Sequence, residues 1–142
     1  MSTIIGIDLG TTNSEISYLK DGIPTIIPVD GETLMPSCVG LDPDGNIIVG
    51  RAARNQMVSH PENTILSIKR QMGTNTRVKL GSKGLSPEEV SSLILIKLKQ
   101  AAETFLGGRF EKAVITVPAY FDDSQRRATK NAGILAELDV VR

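Results

Sequence analysis

The chain of 142 residues is 40% hydrophobic and 23% charged, the balance of an ordinary globular domain rather than a disordered or fibrous chain. Sixteen basic residues cancel sixteen acidic ones, and three Phe and two Tyr are the whole aromatic complement, so neither field nor stacking surface points to nucleic acid. A single cysteine, Cys38, excludes an intramolecular disulfide framework and paired-cysteine metal sites and favours a reducing compartment, with the cytoplasm as the default.

In chain order, the apolar start Ile4-Ile5-Gly6-Ile7 meets Asp8 before the run of about 7–15 apolar residues that a signal peptide needs. The longest later aliphatic run, Leu93-Ile94-Leu95-Ile96, is far short of the roughly 20 residues of a membrane span, so a soluble, non-exported chain is expected. Residues 4–8 are short and β-branched and residues 16–20 alternate. Gly10-Thr11-Thr12-Asn13 lies between them as turn material, which predicts a hairpin. Further strands are predicted at 25–29, beside Pro24 and Pro28, and at 37–41 and 47–49, joined by the turn Asp42-Pro43-Asp44-Gly45.

Short helices are predicted at 51–59 and 64–72, separated by Pro61, followed by a polar, glycine-bearing insertion at 73–84. Ser86-Pro87-Glu88-Glu89 combines an N-cap serine, a proline at the first helical position and a capping-box glutamate. Val90, Ile94, Leu98, Ala101 and Phe105 then recur at helical spacing until Gly107-Gly108, predicting one long amphipathic helix. Residues 113–117 form an apolar run ended by Pro118, which predicts a strand buried on both faces. Asp122-Asp123-Ser124-Gln125 opens a second helix to about residue 136, and residues 138–141 read as the start of another strand. Strand, helix, strand, helix argues for an α/β layer.

The segment Asp8-Leu9-Gly10-Thr11-Thr12-Asn13 places a carboxylate at a strand end before a tight turn of glycine and hydroxyl residues. Successive amides in such a turn can converge on an anion, and glycine lets a phosphate approach the main chain. A carboxylate just before the turn suits Mg²⁺, held directly or through water. The bland alternative is a plain turn whose Asp8 and Asn13 satisfy local backbone donors. Neither G-x-x-x-x-G-K-[ST] nor G-x-G-x-x-G occurs. His60 has no second histidine to form a metal site with, and Cys38 reads as a small buried strand residue.

The longer string GIDLGTTNS at residues 6–14 resembles the first phosphate motif of the Hsp70 chaperones, members of the actin and sugar-kinase superfold of ATPases. SIKR at 67–70, PEEVSS at 87–92 and AVITVPAYF at 113–121, with its continuation DDSQRRATKNAG, match the same family in the same order. The resemblance spans the chain and implies an α/β, actin-like or ribonuclease H-like ATPase fold, here a partial lobe I with mixed sheet and flanking helices. Residues 1–36 and 87–142 would form its core subdomain and residues 37–86 an inserted one.

The resemblance also implies roles. Asp8 would organise Mg²⁺ through water, and Gly10, Thr11, Thr12 and Asn13 would line the phosphates of ATP or ADP, largely through main-chain donors. Lys69, with Arg70 beside it, would reach the γ-phosphate and attacking water. From the residues alone, Lys69-Arg70 reads as a solvated basic pair near a helix end. Pro118, Tyr120, Arg126 and Lys130 match a segment that relays nucleotide state toward the substrate-binding domain, although Arg126, Arg127 and Lys130 also fit an exposed helix face. Implied partners of the intact protein are unfolded polypeptide clients, a J-domain protein and a nucleotide exchange factor, within a cytoplasmic stress response.

Asp122 stands where the family usually has asparagine, and Ala136-Glu137-Leu138 replaces a commonly glycine-containing turn. MGTNTRVKLGS at 72–82 is similar to the specialised bacterial branch called HscC. The resemblance places the second phosphate loop, the adenosine pocket and the opposing lobe beyond residue 142. A single wall should then bind ATP with a Kd on the order of mM or worse and show no useful turnover. An exposed sheet edge near Val140 is expected, with self-association through it. The competing readings are another actin-superfold ATPase or kinase, and a structural fragment without turnover.

Overall fold

The computed structural model describes residues 4–110 and 112–141. Strands β1 (Ile5–Asp8), β2 (Asn13–Lys20) and β3 (Ile23–Ile27) run antiparallel in succession, and β4 (Met35–Pro36) pairs with the start of β2. On the other side of β1 lies β10 (Lys112–Thr116), and beyond it β11 (Asp139–Val140), both parallel to their neighbours. The sheet order β11-β10-β1-β2-β3 is therefore mixed. A second sheet has the order β6-β5-β7, made of β5 (Cys38–Leu41), β6 (Ile47–Val49) and β7 (Thr64–Leu66). Strands β8 (Val78–Leu80) and β9 (Lys83–Leu85) form a separate hairpin within the predicted insertion.

Register explains the core. Ile115, Ile7, Ile16 and Ile27 are aligned across β10, β1, β2 and β3, so they share one face, and all are buried. Helix α2 (Pro87–Leu106) covers that face with Val90, Ile94, Leu95 and Leu98, and α3 (Asp123–Leu135) packs beside α2. Both helices start as their sequences require: Ser86 and Asp122 each close a reciprocal capping box, with Glu89 and Gln125 respectively. A short helix α1 (Arg51–Gln56) lies on the second sheet. Among the described residues no helix is long and apolar enough to cross a membrane.

Three local expectations are corrected. Residues 64–72 form no α-helix: β-branched Thr64 and Ile65 pair with β5 in β7, Ser67 turns left-handed at φ 53°, and residues Ile68–Gln71 make a single 3-10 turn. β10 is not buried on both faces, because the helices cover the Ala113 and Ile115 side while Val114 is only partly buried and Thr116 is exposed. Phe105 continues the spacing of the α2 stripe yet stays 49% exposed, edge-on to Tyr18, because the apolar stripe ends near Ala102. At the outer edge of the main sheet, just after β11, Val141 exposes apolar surface.

Candidate functional site

The site grows from the end of β1. Asp8 is exposed there, between its register partners Thr116 on β10 and Glu15 on β2. The Thr116 hydroxyl donates to Asp8 Oδ1 at 3.1 Å and shares its proton with the Ile7 carbonyl at 3.4 Å, which orients the carboxylate. The chain then reverses through Gly10, Thr11 and Thr12. A Cβ at Gly10 would collide with the Asn13 carbonyl, so only glycine fits the turn.

The turn is tied from beneath by two buried serines. Gly10 N–H donates to Ser14 Oγ at 3.3 Å, Ser14 and Ser37 hydroxyls are 2.8 Å apart, and Ser37 Oγ donates to the Gly10 carbonyl at 2.9 Å. The Ser37 amide adds a bond to the Thr12 carbonyl at 2.8 Å. Among the described residues the Thr11 and Thr12 amides have no intramolecular acceptor. The Thr11 and Thr12 amides are therefore left without a protein acceptor, while that of Gly10 is spent on Ser14.

Lys69 arrives from the 3-10 turn that follows left-handed Ser67. Its Nζ lies 5.8 Å from the centroid of the Phe121 ring, and Phe121 is itself buried. Burial lowers the Lys69 ammonium below the ordinary lysine range, and the charge of nearby Asp8 pulls it back up. The Asp8 carboxylate is thus near enough to act on the partly desolvated Lys69, and Thr11 and Thr12 line a small cleft with Ser67, two residues before that lysine. A Cβ at Gly73 would crowd Gln125, so the Lys69 turn and the start of α3 are in close contact.

Arg70 is exposed on the same turn and makes no side-chain hydrogen bond or ion pair among the described residues, so the structure does not join it to the hairpin. The second group is partly assembled. The Pro118 carbonyl accepts from the Phe121 amide at 3.1 Å, closing a turn. Arg126 ties that turn to α3, with Nε on the Phe121 carbonyl at 3.1 Å and a terminal nitrogen on the Ala119 carbonyl at 3.5 Å. Arg126 is therefore more than an exposed helix-face charge. Tyr120 is 81% exposed, edge-on to Phe121. Lys130 is exposed and lines, with Arg126, Ile115 and Val140, a cleft of about 250 Å³ beside β11.

The chemistry of the donor set fits a hydrated cation. Asp8 offers one oxygen beyond that taken by Thr116, and the described residues contain no cluster of three or more His, Cys, Asp or Glu side chains. Mg²⁺ commonly keeps several waters and relies on one or two carboxylates plus phosphate oxygens, and of these Asp8 could supply the carboxylate. Sequence reasoning missed Ser37, Thr116 and Phe121. Each acts through contacts distant in the chain that no local spacing encodes.

Comparison with known proteins agrees with this geometry. The family described as Hsp70 protein matches residues 4–142. The chaperone protein DnaK of Methanothermobacter thermautotrophicus is 56% identical over 144 aligned residues, covering 98% of this chain and 24% of the relative. The DnaK proteins of Thermotoga neapolitana and Thermotoga maritima are each 52% identical over 141 residues, with the same coverage. The chain spans about a quarter of the length of these relatives. An actin-like α/β layer, a glycine turn behind a strand-end aspartate and a match over nearly every residue together place the chain in the Hsp70 family.

Proposed function

We propose that this chain forms one wall of a Mg·ATP site, and that the protein containing it hydrolyses ATP to control its grip on unfolded polypeptides. The observation that carries the reading is the nearness of Asp8 to the half-buried Lys69, with the free Thr11 and Thr12 amides in the turn that follows Asp8 and lining one cleft with Ser67. The two amides would hold phosphate oxygens, and the Thr11 and Thr12 hydroxyls would add donors. Mg²⁺, when bound, supplies neutralisation of phosphate charge, and Asp8 would hold it through water. Lys69, partly desolvated, would place its ammonium against developing charge without the screening bulk water gives. Arg70 would act only at longer range, as an exposed cation on the turn that carries Lys69.

Pro118, Tyr120, Arg126 and Lys130 would carry the nucleotide state outward. The Arg126 bonds to the Phe121 and Ala119 carbonyls support this, because Phe121 also contacts Lys69. A displacement of Lys69 would then reach α3 through a single aromatic ring. The two sheets suggest the division into a core unit of residues 1–36 and 87–142 and an inserted unit of 37–86. Clients, a J-domain protein, an exchange factor and a cytoplasmic setting follow for the intact protein.

The test is a chimera in which residues 1–142 replace the matching stretch of a full-length relative. Single-turnover ATP hydrolysis should fall by about 10²–10³-fold on Lys69→Ala, with nucleotide still bound. An unchanged rate would show that Lys69 is merely a solvated cation.

A further inference from the structure

The two buried serines beneath the hairpin permit a proton count. Ser14 and Ser37 are 1% and 3% exposed, so their hydroxyls must find partners inside the protein. Each hydroxyl owns one proton. The Ser37 proton goes to the Gly10 carbonyl, because a carbonyl can only accept. The 2.8 Å contact between the two hydroxyls must therefore use the Ser14 proton. Ser14 Oγ in turn accepts the Gly10 amide proton. The result is a closed circuit that leaves Gly10 N–H, passes through Ser14 and Ser37, and returns to Gly10 C=O, with every donor used once.

We propose that Ser37 is a positioning residue for the phosphate hairpin, and that this circuit presets the Thr11 and Thr12 amides for a ligand presenting adjacent phosphate oxygens. The inference rests on the phosphate reading of the hairpin given above. Holding both polar groups of Gly10 from below removes the peptide rotations that would otherwise turn neighbouring amides away from the ligand, so less order is lost on binding. The second bond, from the Ser37 amide to the Thr12 carbonyl, restrains the far side of the same turn.

Ser37 also connects the two halves of the site. Cys38, the next residue, opens β5 and is aligned with Leu66 on β7, and the chain after Leu66 turns at Ser67 to deliver Lys69. One residue thereby fixes the hairpin through its side chain and the lysine turn through its strand. A shift of β5 against the main sheet would loosen the turn and withdraw the lysine together.

The experiment is a titration of the ¹⁵N-labelled 142-residue chain with Mg·pyrophosphate, followed at the Gly10, Thr11 and Thr12 amides. The parent should shift at Thr11 and Thr12, far more than at Gly10, with a Kd on the order of mM. Ser37→Ala should weaken that affinity about tenfold and speed hydrogen exchange of the Gly10 amide. Ser14→Ala should do the same. The double variant should lose no more than about twofold beyond either single one, since one break opens the whole circuit. Should Ser37→Ala fail to fold, Ser14→Ala carries the same prediction.

Equal affinity in the parent and both single variants would overturn the inference while leaving the phosphate reading intact, as would fully additive losses. A parent whose Thr11 and Thr12 amides ignore pyrophosphate would overturn the phosphate reading, and the inference with it.

Discussion

Lys69 is held against Phe121, its Nζ 5.8 Å from the ring centroid, where partial burial lowers the affinity of the amine for its proton. Holding the ammonium where burial disfavours its charge is a cost to folding that a nucleotide site would have reason to retain. Lys69→Met should therefore leave the Tm unchanged or raise it, because the thioether fills the space without a desolvated charge. Differential scanning fluorimetry checks this. Clear destabilisation would mean that the ammonium is a structural partner rather than a group held in reserve.

The turn of Pro118 to Phe121 depends on Arg126. Arg126→Lys keeps the charge but cannot form both the Nε and terminal-nitrogen bonds to the Phe121 and Ala119 carbonyls. A loss of about 1 kcal/mol in urea unfolding is expected, with Lys130→Ala within about 0.5 kcal/mol of the parent. Equal effects of the two substitutions would reduce Arg126 to a helix-face charge.

Helix α3 sits on the sheet through Gly133, where an added Cβ would strike the Val140 side chain and come within 3.3 Å of Ile115 Cδ1. Gly133→Ala should cost about 1–3 kcal/mol by overpacking, despite the better helix propensity of alanine. A stabilised variant would mean that α3 packs more loosely than described.

Cys38 is fully buried, and burial pushes its thiol from 9.0 up to about 11, with Arg54 opposing. Between those values the folded state binds more protons than the unfolded one, so this thiol's contribution to stability is lost as pH rises from about 9 to 11. Cys38→Ala should lack that alkaline decline in thermal melts. The parent should resist iodoacetamide at pH 8 while folded, and rapid alkylation would place the thiol in solvent.

Where a signal is local, the amino-acid string carried it. Ser86-Pro87-Glu88-Glu89 named the start of α2, and Asp122 with Gln125 named that of α3, because a capping box is complete within four residues. The hairpin was equally readable, since strand alternation on either side of Gly10 is a local pattern. Residues 64–72 were misread, because β7 exists only through its pairing with β5, and Ser67 then adopts a conformation that serine propensity disfavours. The same limit hid Ser37 and Phe121. Their partners, Gly10 and Lys69, lie far away in the chain, and only the folded sheet brings them together.

The measurement that tests the account most directly is calorimetric titration of the folded 142-residue chain with Mg·ATP, repeated on Asp8→Ala. One wall with a preset turn should give a Kd on the order of mM or weaker, and whatever heat is seen should vanish with Asp8. A Kd tighter than about 10 μM would contradict the account, because the hairpin, Asp8 and Lys69 would then be a complete nucleotide site by themselves.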